Sequence, residues 1–70
     1  MKKLYLKFTL NGHKNTYFKR LDIYGEPVTT LNKDGARKIK EKDASDIIKL
    51  LVNHYGKDNI SDIEKIEDDA

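Results

Sequence analysis

The stretch LYLKFTLNG at residues 4–12 decides the fold, because apolar and polar side chains alternate strictly and then meet a turn signal. Apolar residues at every second position are typical of a strand with one buried face. The predicted buried positions are Leu4, Leu6, Phe8 and Leu10. Asn11-Gly12 follows at once, and both residue types accept the positive φ angles of a tight turn. The sequence therefore predicts a strand that enters a hairpin.

The returning strand is predicted over residues 16–24, which are rich in β-branched and aromatic side chains. Its alternation is imperfect, because Lys19 falls on the face of the apolar positions. Either Lys19 reaches past the apolar layer to solvent, or a bulge beside it turns Phe18 inward. Gly25-Glu26-Pro27 then marks a turn, and residues 28–31 are predicted as a third short strand.

A helix is predicted after Asp43, which we interpret as its N-cap with Asp46 three residues later. Six apolar residues beyond it recur at helical spacing, and Gly56 ends the pattern. They are Ala44, Ile47, Ile48, Leu51, Val52 and Tyr55. This apolar stripe is expected to pack across the sheet, because a two-layer core needs both elements.

Two segments permit more than one interpretation. Residues 36–39 fit a single helical turn or a short strand, and residues 60–66 fit a helix or a final strand, of which we favour the strand. The predicted fold is therefore α+β, a small antiparallel sheet of order β-β-β-α-β with one helix on one face. Residues 1–66 form one domain in this prediction, and the acidic residues 67–70 form a frayed tail.

The composition limits the class of protein. A chain of 70 residues has room for one domain, and its 37% of hydrophobic residues are grouped into periodic segments as in a folded protein. It contains no cysteine, which excludes disulfides and thiolate metal sites and fits a reducing cytoplasm. No signal peptide and no membrane-spanning segment is recognised in the sequence. We expect a soluble cytoplasmic protein.

Charge is divided along the chain. Residues 1–42 hold eleven Lys and Arg against four Asp and Glu, whereas residues 43–70 hold three against eight. The local net charges are thus +7 and −5, although the whole chain carries only +2. Such an asymmetry points to association or to packing of one half against the other, and not to catalysis.

The layout resembles a known class of protein. The resemblance rests on the hairpin with Tyr17-Phe18, on residues 22–28, on Ala36 and on residues 43–51. In this arrangement the chain is similar to the small, mostly uncharacterised accessory proteins carried by phages and prophages of Gram-positive bacteria. The resemblance implies a host-interaction or regulatory role, and it brings no catalytic or binding residues.

The sequence predicts no catalytic residue, no metal site and no cofactor. Titratable candidates are His13 in the hairpin and His54 near the helix end, and the serines are Ser45 and Ser61. Their spacing does not suggest a nucleophile with a base and an orienting group. We interpret both histidines as structural or solvated, and the protein as a non-enzyme.

Binding to nucleic acid is the alternative function that we consider. Basic residues interleaved with aromatics on an exposed sheet can attract and stack single strands. The residues expected to do so are Lys7, Lys19, Arg20, Arg37, Lys38 and Tyr5, with Phe18 or Tyr24 as further aromatics. A structural explanation competes, in which the lysines protect strand edges and the aromatics complete the core.

A protein partner is the favoured prediction. It would be reached through an open sheet edge with Tyr or Ile anchors, or through the acidic residues Asp62, Glu64 and Glu67. The protein itself is expected to be a monomer or a homodimer and to have no membrane partner. The sequence thus predicts a small binding or regulatory protein whose partner it does not identify.

Overall fold

The computed structural model describes residues 3–68 and shows a curled antiparallel sheet with one helix packed on it. The strands are β1 Lys3–Leu10, β2 His13–Leu21, β3 Pro27–Thr30, β4 Ile39–Lys40 and β5 Ile60–Asp68. The helix α1 is Glu41–Tyr55, and a 3-10 turn covers Lys33–Gly35. The predicted α+β fold of order β-β-β-α-β is confirmed, and β4 is a two-residue addition before the helix.

Strand β1 lies at the centre of the sheet. β5 pairs with it from Leu10↔Ile60 to Lys3↔Asp68. The opposite edge of β1 is divided between two neighbouring strands. β2 pairs with the part that includes Lys7 and Phe8, while β4 pairs with Lys3 and Leu4. Beyond Tyr17, β2 leaves β1 and continues its pairing with β3.

The predicted hairpin between β1 and β2 is confirmed. Asn11 and Gly12 have φ angles of 50° and 82°, as a two-residue turn between right-twisted strands requires. Leu10 and His13 are the paired residues that close it. The turn fixes the register of β1, and hence the face on which its apolar residues lie.

Phe18 lies in the core, on the same face as Thr16, which pairs with the buried Phe8, and a bulge follows it in β2. The register with β3 shifts between Phe18 and Arg20, and Phe18 is buried while Lys19 is exposed. Of the two interpretations of Lys19, the bulge is therefore correct. The prediction that β2 reaches residue 24 is wrong, because the chain turns at Asp22. β3 begins and ends one residue earlier than predicted.

The helix begins earlier than predicted. Its N-cap is Lys40, which makes no side-chain capping hydrogen bond, and Asp43 lies inside the first turn. The prediction of Asp43 as the N-cap is therefore wrong. The first residue of α1 is set by tertiary pairing. Ile39 is held in an extended conformation by its pairing with Leu4, and the helix begins two residues later. The predicted end is correct, since Gly56 closes α1 with a φ of 87°.

The core lies between α1 and one face of the sheet. Its buried members are Leu4, Leu6, Phe8, Phe18, Ile39, Ala44, Leu51 and Ile60. The partly buried residues packed against them are Leu10, Ile47, Ile48, Val52, Tyr55 and Ile63. All predicted apolar positions of β1 and of the helical stripe are in these two sets, so both periodicities are confirmed.

The C-terminal segment is a strand, as we favoured. β5 continues to Asp68, and Glu67 is paired with Leu4. The prediction that the acidic tail frays from residue 67 is wrong for Glu67 and Asp68, because β1 offers a pairing edge as far as Lys3. Residues 69 and 70 of the predicted tail lie outside the described residues.

Within residues 3–68, no helix has the length and apolar character that crossing a membrane requires.

Leu51 provides a test of the core. Its side chain is 0% exposed, so Leu51→Asp would bury an unpaired carboxylate and cost about 4 kcal/mol or more. We expect this variant to show no cooperative thermal unfolding by circular dichroism. Asn53→Asp adds the same charge at an exposed position of α1 and should unfold as the wild type does. Equal melting of the two variants would contradict this packing.

Candidate functional site

The loop between β2 and β3, which we call the Asp22 loop (Asp22–Glu26), is fixed by hydrogen bonds around one side chain. Asp22 Oδ1 accepts from the N–H groups of Tyr24, at 2.8 Å, and of Glu26, at 2.9 Å. The backbone adds two bonds, because Asp22 N donates to Glu26 O at 2.8 Å and Gly25 N donates to Asp22 O at 3.0 Å. Gly25 has a φ of 78°, which favours glycine.

This loop displays two large apolar side chains to solvent. Ile23 is 90% exposed and Tyr24 is 81% exposed. Leu21, the last residue of β2, is also exposed, and Leu31 beyond β3 is 67% exposed. Among residues 3–68, three of the four exposed large hydrophobic residues thus fall within residues 21–24, which makes them a local feature and not scattered surface positions.

A cleft adjoins the base of this loop. It has a volume of about 330 Å³ and is lined by Phe18, Arg20, Leu21, Arg37 and Ile47, and we call it the arginine cleft. β2 supplies three of these residues, the segment before β4 supplies Arg37, and α1 supplies Ile47. The backbone N–H of Arg37 donates to Phe18 O at 2.9 Å, which ties the segment before β4 to β2.

A second concavity continues from the arginine cleft and shares Arg37 and Ile47 with it. Its other lining residues are Lys3, Lys38, Ile39, Lys40, Asp43 and Asp46. Arg20, Arg37 and Lys38 of the predicted nucleic-acid surface are therefore brought into two adjoining concavities. The aspartates of α1 interrupt the positive charge there.

The remaining predicted nucleic-acid residues lie elsewhere. Tyr5 is 9% exposed and borders a shallow concavity formed with the 3-10 turn, where Lys33 Nζ lies 5.8 Å from the ring centroid. Phe18 is in the core. Tyr5 and Phe18 therefore do not form the expected aromatic platform on the outer face, whereas Tyr24 is exposed on the Asp22 loop. Lys19 is exposed at the bulge of β2, and Lys7 lies on the central strand.

The predicted acidic residues lie together on β5, which is an edge strand in the described part of the sheet. Glu64 is directly opposite Lys7 across the β1–β5 pairing, and Glu67 is opposite Leu4. Asp62 occupies a bulge with a φ of 54°. Asp62, Glu64, Lys7 and Lys14 all line one open concavity, whose charges of both signs nearly balance.

The histidines are placed apart from these features. His13 is exposed at the start of β2, and His54 is exposed on α1 with its ring in edge contact with Tyr55, centroids 4.8 Å apart. Among residues 3–68, no group of three or more potential metal ligands lies close enough together to hold an ion.

Comparison with known proteins found no matching family model, no matching curated protein and no matching solved structure.

The Asp22 loop and the arginine cleft were not predicted as sites. The loop does leave a local signal, since an Asp three residues before a Gly is typical of a turn held by the Asp side chain. The arginine cleft leaves no such signal in the sequence, because Arg20 and Arg37 come together only through the pairing of distant segments.

The role of Asp22 in fixing the loop can be measured. Asp22→Ala removes the acceptor of two backbone N–H groups and should lower stability by about 1 kcal/mol, or about 4–8 °C in melting temperature. Amide exchange at Tyr24 and Glu26 should become faster. Asp22→Asn keeps an acceptor oxygen and should preserve both properties. If the Ala and Asn variants exchange these amides at the same rate, the side chain does not hold the loop.

Proposed function

We propose that this protein is a small non-enzymatic binding protein that docks on a partner protein through the Asp22 loop. The proposal rests on one observation: Ile23 and Tyr24 are exposed on a loop that Asp22 holds in one conformation. The energy of a protein interface is concentrated in a few large side chains that enter pockets of the partner, and Tyr is prominent among them. Ile23 and Tyr24 have the size and position for such anchors.

The rigidity of the loop supports this role. A loop that is ordered only on binding loses conformational entropy, and that loss weakens the complex. Here the four hydrogen bonds within residues 22–26 impose the order before any partner arrives. A loop that served only to join β2 to β3 would need neither Ile nor Tyr at its tip, where polar residues are the usual choice.

The acidic residues Asp62, Glu64 and Glu67 remain a prediction for protein binding, and they rank below the loop. Asp and Glu are depleted at the centres of interfaces, and charges on an edge strand also protect it from unwanted pairing. In addition, Glu64 already has Lys7 opposite to it within the sheet.

Binding to nucleic acid ranks lower still. Of the aromatics proposed for it, Tyr5 and Phe18 are buried and Tyr24 alone is exposed, and Lys7 lies opposite a carboxylate. Single-strand binding relies on exposed aromatic faces beside a continuous positive groove. The basic residues that do meet, Arg20, Arg37 and Lys38, continue into a concavity where Asp43 and Asp46 alternate with Lys3 and Lys40, so its positive charge is interrupted.

The resemblance to phage and prophage accessory proteins agrees with this function, since a host-interaction or regulatory role needs a protein partner and no catalysis.

The experiment compares three forms of the tagged protein in affinity capture from extracts of the source cells. Ile23→Ser/Tyr24→Ser removes both anchors, and we expect at least a ten-fold loss of any captured partner, quantified by mass spectrometry. Leu31→Ser is the control, because it removes an exposed apolar residue outside the loop. Asp62→Asn/Glu64→Gln/Glu67→Gln tests the acidic strand separately. Undiminished capture by the double variant would rule out the loop as the docking site.

A further inference from the structure

Both arginines of this chain line the same cleft. The sequence contains fourteen basic residues, of which only Arg20 and Arg37 are arginine, and they are seventeen positions apart. The other twelve basic residues in the sequence are lysines. Arginine differs from lysine in presenting a planar fork of N–H donors that matches two oxygens of an anion at once. Both of these planar forks therefore border one cleft.

The backbone around the cleft is well supported. The bulge after Phe18 sets the position of Arg20, and the hydrogen bond from Arg37 N to Phe18 O fixes the second segment against the first. Ile47 and Leu21 provide apolar walls on two sides. Side chains that start from a sheet and a tied segment hold a ligand more precisely than side chains on a mobile loop.

The guanidinium groups are available to a ligand. Among the described residues, no hydrogen bond or ion pair occupies the side chain of Arg20 or Arg37, although Asp43 and Asp46 lie in the adjoining concavity. Arginine beside apolar side chains and without a carboxylate partner is suited to receive an anion that also carries an apolar group.

We propose that the arginine cleft binds a carboxylate that is attached to an apolar side chain, supplied by a segment of the partner protein. The cleft volume of about 330 Å³ is at the lower end for ligand sites and suits one side chain with its carboxylate. A phosphodiester chain fits less well, because Phe18, Leu21 and Ile47 line the arginine cleft beside its two arginines and offer the apolar contacts that a phosphodiester does not use. That the carboxylate comes from a partner protein rests on the proposed function. That the cleft binds such a carboxylate does not rest on it.

The test is a titration of the ¹⁵N-labelled full chain with N-acetylphenylalanine, followed by amide chemical shifts. We expect shifts confined to the lining residues of the arginine cleft and the loop beside it. The same compound as its amide lacks the carboxylate, and its dissociation constant should be at least ten-fold higher. A mixed-sequence single-stranded oligonucleotide of twelve nucleotides is the third probe, and it should not shift the cleft at physiological salt.

Variants test whether the guanidinium groups of Arg20 and Arg37 bind the carboxylate. Arg20→Gln and Arg37→Gln should each raise the dissociation constant for N-acetylphenylalanine about ten-fold, as expected for the loss of a hydrogen bond to a charged group. Arg37→Lys keeps the charge and should still weaken binding several-fold. Lys19→Gln is the matched control, because it removes an exposed positive charge next to Arg20 without changing the cleft, and binding should be preserved.

The inference is overturned if acid and amide bind equally, if the acid causes no shifts in the cleft, or if the oligonucleotide binds there and the acid does not. The wild-type comparison of acid with amide decides this even if a variant fails to fold. Failure of the docking proposal can be distinguished from failure of the carboxylate proposal, because Ile23→Ser/Tyr24→Ser should leave binding of N-acetylphenylalanine unchanged. Capture that persists in that variant contradicts the docking role alone.

Discussion

Strand β1 is the element on which the rest of the structure depends, because it is paired along both edges. β5 lies along one edge, while β2 and β4 divide the other between them. Its alternating residues also supply half of the core cluster's sheet face. Part of the charge asymmetry of the sequence is neutralised beside β1. The acidic C-terminal segment forms β5 there and places Glu64 opposite Lys7. Opposite charges at such positions stabilise strand pairing by about 0.2–1 kcal/mol. The charge asymmetry is therefore at least partly a device for internal pairing.

Much of the fold was predictable from the sequence, because local patterns and the tertiary structure agree there. The alternation of β1, the Asn11-Gly12 turn and the apolar stripe of α1 each specify one conformation. The end of β2 was missed at the local turn that Asp22 makes, and two other boundaries were missed because partners distant in sequence set them. The start of α1 depends on the pairing of Ile39 with Leu4, and the extension of β5 past residue 66 depends on β1. A pattern read along the chain contains no information about such pairs.

The candidate site was less predictable, for the same physical reason. The sequence indicated Tyr or Ile anchors near a sheet edge, but the exposure of Ile23 and Tyr24 follows from the turn that Asp22 makes at the end of β2. Tyr5 was expected at the surface, and the 3-10 turn covers it instead. The meeting of Arg20 with Arg37 requires a bulge and a backbone hydrogen bond between two segments. The turn at Asp22 has a local signal in the sequence, whereas the burial of Tyr5 and the meeting of the two arginines arise from contacts that composition and periodicity do not encode.

The bulge, the tied segment and the Asp22 loop together place apolar anchors and two arginines at one end of β2. The central claim is that this surface is ordered before binding. It is tested most directly by ¹⁵N relaxation of the unbound wild-type protein. The account predicts backbone order parameters of about 0.85 for Ile23, Tyr24 and Glu26, equal to those of rigid strands. Values below about 0.6 would mean that the loop is flexible, and they would contradict the claim.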